Sequence, residues 1–401
     1  MNKKEQLLLL VIALVQFTNI MDFMIMMPLG PQFMRTFNIT PAQFSLLVSS
    51  YTISAGIVGF ICSFFLDRFD RKKFLMVTYA GFAIGTLACA LSSGYHILLA
   101  ARIITGVFGG ILGAQVLAIV GDSFEYSRRA FAMSFVSAAF SFASVFGVPF
   151  GLYMAVTFSW HMPFVVIFGF AVVVLFLIYK FVPELKSHLH DRSHHKTGAA
   201  VFSLFKDANL LMALLFMMLL VLGQFTIAPF IAPYMVYNVG FTEHQLTFIY
   251  LFGGAASIIT SPVVGKIADK KGKLQVFIIA AALAIIPLYL ITNMMRGSIS
   301  YALIITTLFF VFISGRMSIA MTMITGTIDL KRRGSFMSIN SSVQMLSAGI
   351  ASLISGAIVT QLPSKELVHY SYIGYIAIIS SLLAILVATR LKTESNVDVL
   401  K

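Results

Sequence analysis

Ser63-Phe-Phe-Leu-Asp-Arg-Phe-Asp-Arg-Lys-Lys73 sets six charged residues between two long apolar runs. A weaker copy, Gly265-Lys-Ile-Ala-Asp-Lys-Lys-Gly-Lys273, follows in the second half of the chain. The two are in register. Gln43 lies 24 residues before Asp67 and Gln245 lies 24 before Asp269, with Thr40 and Thr242 three residues further upstream, so one offset of 202 superposes both segments without a gap. The chain is read as a duplicated unit.

Hydrophobic residues make up 59% of the chain and charged ones 11%, too little charge to clothe a water-soluble domain of 401 residues. Apolar runs fall near 7–29, 44–66, 74–92, 97–120, 131–157, 162–182, 209–236, 245–268, 275–293, 300–325, 335–360 and 370–390. Each is long enough to cross a bilayer as a helix, and the ten-residue alternation of an outer-membrane barrel is absent. The fold class expected is an all-α membrane protein of twelve transmembrane helices in two six-helix halves. The first run lacks a small-residue cleavage site and reads as a retained helix.

Lys and Arg decide the orientation. With Lys3 and Lys4 cytoplasmic, 23 of the 28 basic residues fall on the cytoplasmic face, against Arg35, Arg296 and Lys365 outside and Arg102 and Arg316 within helices. That bias places both termini inside and accounts for the net charge of +13 without a nucleic-acid partner. The expected location is the inner membrane, multi-pass. Pro183 to Asp207 carries His188, His190, His194 and His195 and reads as a mobile basic linker rather than a metal site. The domains expected are therefore residues 1–182, a linker at 183–208, and 209–401. Cys62 and Cys89 sit in apolar runs without ligand spacing and are expected as inert thiols.

Duplication recurs beyond the linker, where Arg128-Arg129-Ala-Phe-Ala-Met133-Ser134 echoes Arg332-Arg333-Gly-Ser-Phe-Met337-Ser338. Two parallel six-helix repeats point to a transporter with its site near the bilayer midplane. The first charged stretch resembles the Gly-x-x-x-Asp-Arg-x-Gly-Arg-Lys signature of the major facilitator superfamily, carried here by Asp67, Arg68, Arg71 and Lys72. Ser63 and Asp70 stand where the family has glycine, whereas the second copy keeps Gly265 and Gly272. Arg102-Ile-Ile-Thr-Gly106 is similar to the family's Arg-x-x-x-Gly element. Gly147-Val-Pro149-Phe-Gly151 with Trp160-His161-Met-Pro163-Phe164 resembles the arabinose-efflux-like subgroup of twelve-helix drug:proton antiporters, with His161 in place of the usual Arg.

The resemblance implies roles. Asp67 and its copy Asp269 would form a conformational latch at the start of a neighbouring helix, with Arg71 pairing Asp122 and Lys273 pairing Asp329. Arg102 would tune a proton relay, and Gly147, Pro149 and Gly151 would bend the fifth helix as in antiporters. Ionisable residues inside the hydrocarbon are functional candidates by default. Asp22 is the sharpest, on a stripe with Asn19 and Gln16. An acid whose surroundings change between two states takes up a proton in one and releases it in the other, so Asp22 with Arg102 is the expected proton-coupling pair. The alternative for Asp22 is an interfacial acid near the break at Pro28 and Gly30. Arg316, Asn19, Gln115, Gln224, Asn340 and Gln344 are expected to line a substrate cavity, although interhelical hydrogen bonds explain such residues equally well.

The function expected is proton-coupled export of a small amphipathic or sugar-like molecule by alternating access, by a monomer in the lipid bilayer with no cofactor and no metal. The alternatives are a proton-coupled importer of a small organic anion and, of another class, a non-transporting membrane sensor or assembly partner. No nucleotide loop or nucleophile and base pair is legible, so an enzyme is not expected.

Overall fold

The structure, a computed structural model, describes residues 2–64, 69–124, 126–184, 206–328 and 333–392. These residues contain twelve helices long and apolar enough to cross a membrane: Lys3–Ile25, Pro41–Cys62, Arg71–Ala90, Tyr95–Ser123, Phe131–Thr157, Met162–Phe181, Ala208–Val239, Glu243–Lys271, Lys273–Thr292, Ile299–Thr325, Gly334–Ile358 and Tyr370–Arg390. They are called the first to twelfth spans below. The chain is an all-α membrane protein of twelve spans, as its apolar runs require. One addition is a two-residue antiparallel ladder pairing Thr360 with Val368 and Gln361 with Leu367.

The repeated Thr and Gln have a physical meaning. In each copy the Gln backbone N–H donates to the Thr hydroxyl at 3.3 Å and the Thr N–H donates to the Gln side-chain oxygen at 2.9 Å. These reciprocal bonds satisfy donors that a helix start leaves open. Thr40–Gln43 opens the second span so, and Thr242–Gln245 the eighth. Asn2 and Glu5 form a third such box at the first span. Asp70, which departs from the family signature, caps the third span by accepting from Lys73 N–H at 2.9 Å. Its counterpart Gly272 instead turns the chain with φ +94 between the eighth and ninth spans. One position thus solves the same helix start by a side-chain cap in one copy and a left-handed turn in the other.

Two compact units are present. The first comprises Met1–Met26, Ser50–Phe202 and Gly334–Leu346. Its core joins Leu8, Ile12 and Val15 of the first span to Tyr79 and Phe82 of the third, Val116 and Ile119 of the fourth and Val174 and Ile178 of the sixth. Close helix approach is carried by missing side chains: a Cβ on Gly151 would meet Ile25, and one on Gly147 would press on Met21. The fifth span is interrupted by a π-turn over Ala143–Gly147, directly before Pro149. Proline has no N–H for the regular ladder, and the ladder widens where that donor is missing.

The second unit comprises Met27–Ser49, Ser203–Arg333 and Ser347–Lys401. Phe216 and Phe277 meet edge to face at 5.0 Å between its seventh and ninth spans. The seventh span ends in a π-turn over Met235–Val239 closed by Gly240 at φ +97. Asn238 in that turn donates to Leu367 O and accepts from Leu367 N–H at 2.8 and 2.9 Å, clamping the short ladder. Large apolar side chains such as Val77, Ile84, Phe176, Ile259 and Leu386 stand outward and exposed. Water would penalise such a surface, and lipid solvates it.

Candidate functional site

Asp22 on the first span and Arg102 on the fourth are both fully buried, and Arg102 Nη1 donates to Asp22 Oδ2 at 2.6 Å. Thr86 of the third span donates to the other carboxylate oxygen at 3.3 Å. Three helices therefore supply one ion pair, in a segment where an isolated charge is costly. Arg102 has more hydrogen-bonding capacity than Asp22 uses, for among the described residues its Nε and Nη2 have no hydrogen-bond acceptor in good geometry. Its guanidinium lies 4.5 Å from the ring centroid of Tyr51 on the second span, a favourable cation–π contact.

Tyr51 continues the chain of contacts. Its hydroxyl donates to Asn19 Oδ1 at 2.8 Å, and Asn19 Nδ2 donates to Gly109 O at 3.2 Å. Asn19 and Tyr51 border a cavity of about 80 Å³, with Gln16, Ser341 and Ser342 as its other polar side chains and Phe23 among its apolar ones. Gln16 Oε1 is buried with no donor among the described residues. Apart from the Tyr51 phenol the lining carries no ionisable group.

The stripe expected for Gln16, Asn19 and Asp22 is corrected by this geometry. Six residues at 3.6 per turn rotate Asp22 about 120° from Gln16, so Gln16 and Asn19 border the cavity while Asp22 meets Arg102. Of the residues expected around one cavity, Asn19 is in this lining, and Gln115, Asn340, Gln344, Gln224 and Arg316 are not. Gln115 accepts from Thr78 at 2.8 Å, a helix-to-helix bond that occupies its carbonyl. Asn340 is buried and Gln344 half-buried on the eleventh span, beside the serines that do line it. Gln224 and Arg316 belong to the second unit. There Arg316 is buried and donates from Nη1 to Ser381 Oγ at 2.7 Å, with Nη2 unpartnered and no carboxylate within salt-bridge distance among the described residues.

Arg71 Nε donates to Asp122 Oδ2 at 2.9 Å, joining the third and fourth spans with Arg71 buried. Asp67 and Asp329, and the linker histidines His188, His190, His194 and His195, lie outside the described residues. Asp269 is exposed at the end of the eighth span, and Lys273 is the first residue of the ninth. Gly147, Pro149 and Gly151 sit at the π-turn where the fifth span crosses Met21 and Ile25, on either side of Asp22 in sequence. His161 stands in a loop, its Nδ1 against Ser159 Oγ at 2.8 Å and its Nε2 against Ser92 O at 3.1 Å. A carbonyl can only accept, so Nε2 is the donor to Ser92 O.

Sequence reading missed Tyr51, Thr86, Ser341, Ser342 and an ion pair in the second unit. The signal for Tyr51 was the polar run Ser49-Ser50-Tyr51-Thr52 within an apolar helix. In the second unit Glu243 accepts from Arg35 at 2.5 Å and from Gln32 at 2.9 Å, and Tyr237 donates to Pro31 O at 3.0 Å. The Glu243 hydrogen bond holds the Arg35 guanidinium above its ordinary range. No spacing in the sequence connects residues so far apart.

The sequence model of the family described as Major Facilitator Superfamily matches residues 12–227 and 213–399. AraJ of Escherichia coli (strain K12) is 24% identical over 267 residues, 64% of this chain and 65% of AraJ. The MFS-type transporter YbcL of Bacillus subtilis (strain 168) is 23% identical over 353 residues, 88% of this chain and 89% of YbcL. The chain thus spans about 65% of AraJ and nearly the whole of YbcL. A crystal structure of a D-xylose-proton symporter shares the fold with a TM-score of 0.77 at 17% identity, covering 98% of this chain and 99% of that one. With the family model matching nearly end to end, the chain belongs to the Major Facilitator Superfamily.

Proposed function

We propose that this protein is a proton-coupled secondary transporter that exports a small uncharged, amphipathic or sugar-like compound by alternating access. It would act as a monomer in the inner membrane with both termini cytoplasmic, its halves at 1–182 and 209–401 joined by the linker at 183–208. The observation that carries the reading is the Asp22–Arg102 pair, fully buried and one side chain away from a cavity with neutral polar walls. A proton on Asp22 removes its charge and releases Arg102, giving two states of different internal electrostatics, as coupling to a proton gradient requires. The cavity walls favour hydroxyl and amide groups: the buried Gln16 Oε1 has no donor among the described residues, and Phe23 supplies an apolar face. At about 80 Å³ the cavity is smaller than the 300 Å³ or more of common ligand pockets.

Arg71 with Asp122 serves in this reading as the cytoplasmic latch of the first half, with Asp67, Asp269, Lys273 and Asp329 as its other members. Export rather than import rests on the Gly147, Pro149 and Gly151 element. One observation favours a second reading, import of a small organic anion: Arg316 is a buried cation with a serine and, among the described residues, no carboxylate beside it.

Purified protein in liposomes with an internal pH-sensitive dye distinguishes them. Under an imposed proton gradient, sugars, lipophilic neutral compounds and organic anions are added in turn. Proton movement opposite to an uncharged compound supports export. Co-movement with organic anions that Arg316→Gln abolishes supports the second reading. Silence with every class, from protein shown to be folded, removes both.

A further inference from the structure

Tyr51 touches both the ion pair and the cavity. Its ring packs on Arg102 at 4.5 Å and stacks on Phe23 at 5.5 Å between centroids, and its hydroxyl is held by Asn19. Phe23, Asn19 and Tyr51 all border the cavity. We infer that Tyr51 is the positioning residue that transmits the state of the Asp22–Arg102 pair to the cavity wall. This rests on the reading of Asp22 as the proton carrier.

The packing leaves Tyr51 little freedom. A Cβ on Gly109 would run into the Tyr51 hydroxyl and Asn19 Oδ1, and one on Gly106 into the Tyr51 carbonyl and Ser54. The fourth span therefore lies directly against the edge of the phenol and the backbone of the second span, an approach that only glycine permits. With hydroxyl, ring face and backbone each in contact, the ring cannot shift alone. When Asp22 is neutral, Arg102 loses its strongest partner and keeps the ring, so a displaced guanidinium carries the ring with it. Asn19 and Phe23 then move in the cavity wall, and a ligand that pulls on Asn19 acts back along the same path.

The charged or titratable groups around Asp22 are Arg102 from the fourth span, Tyr51 from the second and Cys89 from the third, with Thr86 a neutral donor. Cys89 faces the Thr105 hydroxyl at 3.8 Å and has no direct contact with the cavity. Tyr51 is the side chain that touches both Arg102 and the cavity lining.

The test needs no ligand. Infrared difference spectra of the full chain in lipid nanodiscs are recorded across a pH titration. Asp22→Asn identifies the carboxyl band of Asp22, and Tyr51→Phe identifies the ring band of Tyr51. Should Tyr51→Phe fail to fold, Asn19→Ala removes the hydroxyl's acceptor, moves the same band and assigns it instead. The expected result is that both bands change with one midpoint, that Asp22→Asn loses both, and that Tyr51→Phe loses only the ring band. A carboxyl band that titrates while the Tyr51 band stays constant overturns the inference and leaves the proton carrier standing. So does a Tyr51 band that still titrates in Asp22→Asn. Absence of any Asp22 carboxyl band overturns the carrier reading and this inference together.

Discussion

Arg102 Nη1 stands 2.6 Å from Asp22 Oδ2, with neither side chain reaching solvent. Removing one partner of a buried pair leaves an uncompensated charge, which costs about 3–5 kcal/mol, whereas replacing both with apolar groups is often neutral. Arg102→Leu is therefore expected to lower thermal stability in detergent by roughly that amount, and Asp22→Leu in the same chain to recover most of it. Equal melting temperatures for single and double variants would contradict the pairing.

Gly109 faces the Tyr51 hydroxyl and the Asn19 side chain, so Gly109→Ala overpacks the second-span contact. The expected loss is about 1–3 kcal/mol, read as a lower melting midpoint. Gly169 has open space where a Cβ would go, and Gly169→Ala in the sixth span should leave the midpoint unchanged or raise it slightly.

The duplicated capping boxes make a paired prediction. Thr40→Val and Thr242→Val each remove a hydroxyl acceptor at a helix start, for an expected cost of about 1 kcal/mol each. The two boxes open different spans, the second and the eighth, so the double variant should cost the sum. Denaturation of the three variants checks this, and a double variant no worse than either single would contradict independent caps.

Arg35 and Glu243 are joined at a partly exposed site, with the Arg35 side chain 57% accessible. Such pairs contribute at most about 1 kcal/mol and weaken in salt. Because the Arg35 value is raised, its contribution is complete below the unfolded value and is lost only as pH rises through the folded one. That lies above any neutral range. Arg35→Gln should therefore show a small stability loss that is flat from mildly acidic to mildly basic pH and shrinks with added salt. A loss that varies across neutral pH would assign the effect to another group.

Much of the fold was legible because bilayer thickness dictates run length, and the offset between Gln43 and Gln245 fell on functional helix caps. The Asp22–Arg102 pair was legible for a related reason: few ionisable residues occur inside the spans, so the candidates were few. Tyr51 was not, because a tyrosine among serines in an apolar helix has the same composition whether it packs on lipid or on a guanidinium. The helical stripe through Gln16 and Asp22 failed on geometry, since three-residue steps wind around a helix rather than along it. Gln32, Arg35 and Glu243 left no sequence signal, being brought together only by how the segment after the first span packs against the start of the eighth.

The central claim is that Asp22 carries the transported proton. Its most direct test compares wild type with Asp22→Asn, which keeps the side-chain shape and its acceptor for Thr86, using the compound that the liposome panel identifies. The account predicts that Asp22→Asn still exchanges labelled for unlabelled compound down no gradient, yet no longer concentrates it against one when a pH gradient is imposed. Gradient-driven accumulation at the wild-type rate in Asp22→Asn would contradict it.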